Sequence, residues 1–207
     1  NVGPKPDGTI QEEFVSVFRA LGEWMRTNGE AIYASTASPF RRIPFFGRVT
    51  RKGSRLYLHV FDWPKDGVLR LAGLKTEANS AWLLAEPGQK LKLGRDGDLL
   101  TIQVPAQAPD PVVSVVAVDL AGEPEVEQVV LRPDAAGRLT LPALYADVHG
   151  PHGQRARLEA ADGTVQVGNW INHRDLAAWD FELPEAGEYE VVLRCACPAE
   201  NAGATVA

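Results

Sequence analysis

Residues 46–63 decide the fold, and they read FGRVTRKGSRLYLHVFDW. Two runs of strand-forming residues flank Lys52-Gly53, a pair that favours a tight turn. Side chains alternate along a strand, so the second run places Leu56, Leu58 and Val60 on one face. The other face carries aromatic rings and one imidazole: Tyr57, His59, Phe61 and Trp63. A sandwich strand that faces water is polar on one side, so this sequence predicts a cover over the outer face, supplied by an adjoining domain.

Short period-two runs continue on both sides of this stretch. They predict seven strands, at Phe46–Arg51, Leu56–Trp63, Val68–Leu71, Ser80–Ala85, Lys90–Leu93, Leu99–Val104 and Val112–Leu120. Strong turn pairs lie between them, at Lys52-Gly53, Asp66-Gly67, Pro87-Gly88 and Asp96-Gly97. Strands of this length and spacing predict an antiparallel β-sandwich.

One helix precedes the strands, over residues 10–28. Thr9 is the expected N-cap, and Glu12 would complete a capping box three residues later. A stripe with helical periodicity follows, at Ile10, Phe14, Val17, Phe18, Leu21 and Met25. Asn28-Gly29 would end the helix in the left-handed conformation. The apolar stripe predicts that one face of this helix is buried.

A second strand-rich segment follows an acidic linker at Asp119–Glu127. Its predicted strands are Val129–Leu131, Leu139–Leu141, Ala156–Glu159, Val165–Val167, Ala178–Leu183 and Tyr189–Cys197. They predict a second, truncated β-sandwich. Cys195 and Cys197 share one face of the last strand, and their spacing favours two buried thiols over a metal or redox site.

The composition excludes several partners. The net charge is −6 and no basic cluster stands out, which argues against nucleic acid and anionic membranes. The sequence contains no apolar run of about 18 residues, so we predict no membrane-spanning helix. His149 and His152 are a poor metal site without a third ligand, and we predict neither a metal nor an organic cofactor.

Residue by residue, the sequence gives no active site. Its carboxylates are abundant but none stands out, and Asp62 and Asp119 are expected to bind turn backbones. Exposed aromatic rings stack on sugars, and the candidates are Trp63, Trp82, Trp170 and Trp179. Trp170 lies in the unpatterned stretch Gly168–Asn172, so it is the candidate for a loop-borne ring. Core or rim packing and ligand stacking both stay open for it.

Three stretches, in order, resemble the α-L-fucosidases of glycoside hydrolase family 29. They are NVGPKPDGTI at residues 1–10, LGEW with NGEAIY at 21–33, and LYLHVFDWP at 56–64. The resemblance implies a (β/α)8-like barrel followed by a β-sandwich, and retaining chemistry through an Asp nucleophile and a second carboxylate. Those residues would come from earlier barrel strands, and no position here matches them. The later stretch from Trp179 to Val191 resembles a galactose-binding-type jelly roll.

The resemblance implies three parts: a barrel remnant at 1–36, the C-terminal β-sandwich domain at 37–122, and a truncated jelly-roll-like accessory module at 123–207. The chain begins without Met and stops inside a predicted strand, so we expect a piece of a longer fucosidase that lacks the catalytic carboxylates. The expected partners are a fucosylated glycan and the missing barrel domain of the same chain. Asn1, beside the barrel rim, and Trp170 are the candidate substrate-binding residues. A non-catalytic carbohydrate-binding or adhesion protein and a catalytically dead fucosidase homologue are the alternatives.

Overall fold

A computed structural model describes residues 2–149, 156–161 and 163–196. Its described part is mainly β with one α-helix, as the sequence predicted. The helix α1 spans Glu12–Asn28, and the strands are β1 Gly47–Lys52, β2 Arg55–Val60, β3 Val68–Ala72, β4 Ala78–Leu83, β5 Glu86–Asp96, β6 Leu99–Gln103, β7 Ser114–Leu120, β8 Asp147–His149, β9 Arg157–Ala161, β10 Thr164–Gly168 and β11 Leu176–Ala178. No helix among the described residues is both long and apolar enough to cross a membrane.

Strands β1 to β7 form one antiparallel sheet in the order β1-β2-β7-β4-β5-β6-β3. The long strand β5 joins its two halves, because its first residues pair with β4 and its last residues pair with β6. Buried side chains of β2 and β7 pack in one cluster with those of β3 and β6, although these strands are far apart in the sheet order. The sheet therefore curls over a single core, in agreement with the predicted β-sandwich.

The predicted turns hold at three of four positions. Gly53, Gly67 and Gly97 have φ between 55° and 69°, which suits glycine. Pro87-Gly88 is not a turn but lies inside β5. Leu83 pairs with Glu86 and Trp82 pairs with Lys90, so the residues between Glu86 and Lys90 have no ladder partner in β4. A proline is tolerated at such an irregularity because its missing N–H is not needed there.

The predicted helix cap is wrong at both ends. Gln11 occupies the N-cap position and makes no side-chain cap. Thr9 is unavailable because its backbone N–H and its hydroxyl both donate to Asp7 Oδ1, at 3.0 and 2.7 Å. At the other end Gly29 has a right-handed φ of −59° and begins a 3-10 helix, Gly29–Ala31. The left-handed residue there is Ala34, at φ 57°.

The second strand-rich segment forms two small antiparallel sheets, β9–β10 and β8–β11. A buried cluster lies between them, made of Ala146, Val148, Ala156 and Leu158. Among the described residues, the strands predicted at 129–131, 139–141 and 189–197 are absent, and β8 was not predicted. Of the strand predicted at 178–183 only Ala178 lies in β11, and Phe181 forms an isolated bridge with Leu131. Cys195 is exposed, so its predicted burial is wrong, and Cys197 lies outside the described residues.

Several contacts tie this segment to the sandwich, among them the salt bridge between Arg157 and Asp62 at 2.9 Å. The Glu127 backbone N–H donates to the Gly73 carbonyl at 2.9 Å, beside the bridge between Leu74 and Val126. Gly73 has φ 78°, and a Cβ there would come within 2.1 Å of the Glu127 carbonyl oxygen, so the approach requires glycine. On the opposite side Arg42 Nε lies 3.1 Å from Asp147 Oδ2 and its Nη2 lies 3.0 Å from Asp180 Oδ2.

Candidate functional site

The outer face of β2 is covered, as its two-sided apolar pattern predicted. Tyr57 and His59 are 1% and 5% exposed. The cover is the chain's own segment at the end of α1, where Trp24 and Ala31 pack against Tyr57 and its neighbours. Trp24 Nε1 donates to the Val113 carbonyl at 2.8 Å, which fixes the helix end to the sheet.

An ionic network fastens the same segment to the sheet. Glu30 Oε1 accepts from the Tyr57 hydroxyl at 2.6 Å and from Arg55 Nη1 at 2.5 Å. Arg55 Nε donates to Asp119 Oδ1 at 2.6 Å, and the guanidinium lies 4.9 Å from the ring centroid of Trp82. The network joins residues distant in the sequence, so helix and sheet are held as one body.

Burial and hydrogen bonding set the protonation states of this network. Burial, followed by the hydrogen bond to Glu30, raises the pKa of Tyr57 to about 12. The hydrogen bond from Tyr57 and the charge of Arg55 lower the pKa of Glu30, against the effect of burial. Tyr57 is therefore neutral and Glu30 ionised over the physiological pH range.

His59 is a buried imidazole with a hydrogen-bond partner. Thr50 Oγ1 donates to the Ala31 carbonyl at 2.7 Å and therefore accepts from His59 Nε2 at 3.0 Å. Burial lowers the pKa of His59. The ring links β1 to β2 as a neutral donor, with Trp24 6.4 Å away between ring centroids.

The apolar stripe of α1 is not buried, contrary to the expectation from its periodicity. Only the C-terminal end of the helix contacts the sheet, and the stripe is between 39% and 62% exposed at Ile10, Phe14, Val17, Phe18 and Leu21. Contiguous apolar surface of this kind marks a site of interaction. The stripe is thus the principal unpartnered surface of the described helix.

Trp170 lies in the loop between β10 and β11 and is 46% exposed. Its Nε1 donates to the Asp175 carbonyl at 3.1 Å, which fixes the ring edge and leaves much of the ring in water. Asn169 precedes it in the left-handed conformation, at φ 52°. Ile171, 73% exposed, extends the apolar surface. The loop therefore presents a ring of fixed orientation. Asn1, the other predicted substrate residue, lies outside the described residues.

Among the described residues, three pairs of carboxylates are each joined by one arginine, and the first is Glu30 with Asp119 on Arg55. Arg157 Nε lies 2.9 Å from Asp62 Oδ2 and 3.0 Å from Glu159 Oε1, so Asp62 does not bind a turn as predicted. The recess beside this pair holds about 20 Å³. That is room for about one water molecule, which needs roughly 10–15 Å³ by the same measure, and a sugar ring does not fit. Arg42 holds Asp147 and Asp180 in the same way.

The other predicted polar residues have structural partners. Asp119 binds Arg55 and not a turn backbone, which corrects the prediction. His149 Nε2 lies 2.9 Å from Asp147 Oδ2, whereas His152 lies outside the described residues. Within 2–149, 156–161 and 163–196, no three His, Cys, Asp or Glu residues are grouped as a metal site would require.

Several known proteins resemble this chain over about half of its length. The tissue α-L-fucosidase of Macaca fascicularis is 36% identical over 117 residues, which is 54% of this chain and 25% of that protein. Among solved structures, α-L-fucosidase isoenzyme 1 of Paenibacillus thiaminolyticus is 34% identical with a TM-score of 0.52, covering 58% of this chain and 30% of that one. This chain is related to the α-L-fucosidases.

A third relative places the fucosidase similarity in a defined family. It is the α-L-fucosidase of glycoside hydrolase family 29 from Bacteroides thetaiotaomicron, solved as a trapped covalent intermediate, with 26% identity, a TM-score of 0.53, and coverage of 59% of this chain and 28% of that one. No protein-family model matches the chain. The fucosidase-related chain spans about a quarter of the length of the curated relatives it matches.

Sequence reasoning missed the Glu30–Tyr57–Arg55–Asp119 network. It also missed the carboxylate pairs that Arg42 and Arg157 hold. The hydrogen-bonded partners of Arg55 in this network lie 25 to 64 residues away along the sequence, and no local spacing signals such pairs. The only available signal was Arg55 beside Tyr57 on a strand predicted to be covered on both faces.

Proposed function

We propose that this chain is the C-terminal part of a retaining α-L-fucosidase, which hydrolyses terminal α-linked fucose from glycans or glycoconjugates. Residues 1–36 would complete the catalytic barrel, 37–122 form its C-terminal β-sandwich, and 123–207 form an accessory module. The relatives that support this proposal are about four times longer than the part matched here. The glycosidic bond would be cleaved by carboxylates upstream of Asn1.

The exposed stripe of α1 carries the proposal. A helix anchored at one end by Trp24 and Glu30 and apolar along its other turns needs a partner along that apolar face. A barrel strand and its helix pack against the preceding unit of the barrel, so the remainder of the barrel would supply that partner.

The carboxylates of the chain support its inactivity when alone. A retaining glycosidase uses two carboxyl groups about 5–5.5 Å apart, with an open site between them for the sugar. The Asp62–Glu159 pair faces a recess too small for a sugar, and one arginine occupies both groups. Asp147 and Asp180 are likewise joined through Arg42. Arg55 joins Glu30 and Asp119 in the same way. None of these three pairs is free to take the separate roles of nucleophile and acid.

For substrate contacts, we propose Asn1 near the barrel rim and Trp170 in the accessory module. The Trp170 ring is fixed at its edge and exposed over its face, which suits stacking on the C–H face of a sugar. The bacterial relative with a trapped fucosyl intermediate supports fucose as the sugar that is released.

The role of the α1 stripe as a barrel contact can be tested in the isolated 207-residue chain and in the protein made from the complete reading frame. In the isolated chain, Phe14→Asp with Phe18→Asp should reduce aggregation measured by light scattering, because apolar surface is removed. In the protein made from the complete reading frame, the same pair should lower soluble yield and kcat/KM on an aryl α-L-fucoside. Val112→Asp is the matched control, since Val112 is 71% exposed and lies off the helix.

A full-length double variant with unchanged stability and activity would contradict the barrel contact. An isolated chain that stays monomeric without the substitutions would contradict it as well. A protein that binds glycans through Trp170 but hydrolyses no fucoside would favour the non-catalytic alternative.

The Trp170 contact has its own test in the complete protein. Trp170→Ala should raise KM for a fucosylated oligosaccharide and leave the hydrolysis of a small aryl fucoside unchanged. Ile171→Ala, beside it and 73% exposed, is the matched control for general damage to the loop. Equal effects on both substrates would contradict a role in glycan contact.

A further inference from the structure

A cavity of about 250 Å³ lies between the sandwich and the second segment. Its walls come from the chain before β1, the end of β3, residues 126–129 and the 3-10 helix Ala143–Tyr145. Junctions of this kind are preferred places for small-molecule sites. The volume is just below the lower end of the range for drug-sized ligands, about 300 Å³, so it suits a single small ring.

The wall of this cavity is mixed in character. Apolar side chains make most of it, at Ile43, Ala72, Val126, Val129 and Leu144. Polar groups enter from Arg41, Arg42, Glu127, Gln128 and Tyr145. Of these, Glu127 is paired with Lys75 Nζ at 2.8 Å. A few separate polar groups on an apolar wall are the usual composition of a site that orients a small polar ligand.

The polar groups at the rim are already ordered. Arg41 Nη1 donates to Gln128 Oε1 at 3.0 Å, and the Gln128 amide donates in turn to Asp180 Oδ2. Asp180 also holds Arg42 at 3.0 Å. A ligand would meet a rim held in place before it binds, which lowers the entropic cost of association.

The charges around the cavity are paired with one another. Arg42, 17% exposed, lies between Asp147 and Asp180, and Arg41 is engaged by Gln128 and lies 3.9 Å from Asp180. Burial, with a contribution from the nearby carboxylates Asp98 and Asp96, raises the pKa of Tyr145 and keeps its phenol neutral. An ionised ligand would find no free countercharge in this wall, whereas a neutral polyol needs none.

We propose that this cavity binds one neutral pyranose ring, with its C–H face on the apolar wall and its hydroxyls on the rim. The ligand carries no charge, so salt should affect its binding little. Trp170 is not among the residues that line the cavity. The cavity is present in the 207-residue chain itself, so the proposal stands or falls independently of fucosidase activity.

The test is titration of the isotope-labelled chain, by NMR, with four probes. Methyl α-L-fucopyranoside and methyl β-D-galactopyranoside are the neutral probes, and glucuronic acid and glucosamine are the charged ones. We expect saturable shifts at Ala72, Val129 and Tyr145 with a neutral probe and none with the charged ones. Absence of saturable shifts with both neutral probes would overturn the proposal, and so would preferential binding of a charged probe.

Variants locate the site. Ala72→Met fills the cavity from the end of β3 and should weaken binding at least about tenfold, or about 1.4 kcal/mol. Tyr145→Phe keeps the volume but removes the hydroxyl, and it should weaken binding less. Trp170→Ala is the control and should leave these shifts unchanged. Thermal unfolding checks that each variant is folded. Loss of binding in the Trp170 variant alone would show that the sugar binds at the loop between β10 and β11, and it would refute the proposed cavity site.

Discussion

Tyr57→Phe removes one hydroxyl from the contact between the helix end and the sheet. The hydroxyl donates to Glu30 at 2.6 Å from a ring that is 1% exposed. A hydrogen bond to a charged group is worth about 1.5–3 kcal/mol. Glu30 keeps Arg55 as a partner and its side chain is 45% exposed, so we discount this range for solvent screening to about 1–2 kcal/mol. For a chain of 207 residues this loss corresponds to a decrease in Tm of about 2–8 °C.

The pH dependence of this variant gives a sharper test. The pKa of Tyr57 is raised from 10.0 to about 12 by folding, so its contribution to stability is complete below pH 10 and is lost as pH rises towards 12. The Phe variant has no phenol to ionise at this position. The difference in free energy of unfolding between the native chain and the variant should therefore shrink through this window.

The assay is urea unfolding followed by tryptophan fluorescence at a series of pH values. Tyr33→Phe is the matched control, since Tyr33 is 65% exposed and the same chemical change there should leave stability unaltered. A difference between native chain and Tyr57→Phe that stays constant or grows above pH 10 would refute the assigned network.

Two further predictions concern the contacts between the sandwich and the second segment. Gly73→Ala should destabilise the chain by at least about 1–3 kcal/mol, because the residue has φ 78° and a Cβ would meet the Glu127 carbonyl. Gly122 has open space around it, so Gly122→Ala is the control and should not destabilise the chain. Equal Tm values for the two variants would contradict this prediction. Arg42→Met should lower the free energy of unfolding by up to about 3 kcal/mol and raise amide hydrogen exchange first in β8 and β11. The side chain of Arg41 is 67% exposed, so Arg41→Met is the control and should change exchange in these strands little.

The sandwich was predictable because its signals are local. Alternating apolar residues and Gly-containing turns fix each strand and each hairpin within a few residues, and all seven strands were found near their predicted bounds. The error at Pro87-Gly88 arose because a proline at a strand irregularity has the same composition as a turn. Composition alone does not distinguish the two.

The candidate sites were less predictable because their determinants are not local. Asp7 takes the Thr9 hydroxyl, which a capping rule based on spacing does not anticipate. The stripe of α1 was correctly recognised as apolar, but periodicity does not say whether a partner lies on the described chain. Arg42 and Arg157 join distant carboxylates, and their roles follow only from the three-dimensional arrangement.

The most direct test of the proposed function compares two purified proteins on an aryl α-L-fucoside under the same conditions. One is the 207-residue chain, and the other is the product of the complete reading frame that encodes it. We predict release of the aryl alcohol with net retention by the longer protein and no release by the chain alone. Turnover by the isolated chain, or a longer protein that cleaves another glycoside but no fucoside, would contradict the proposal.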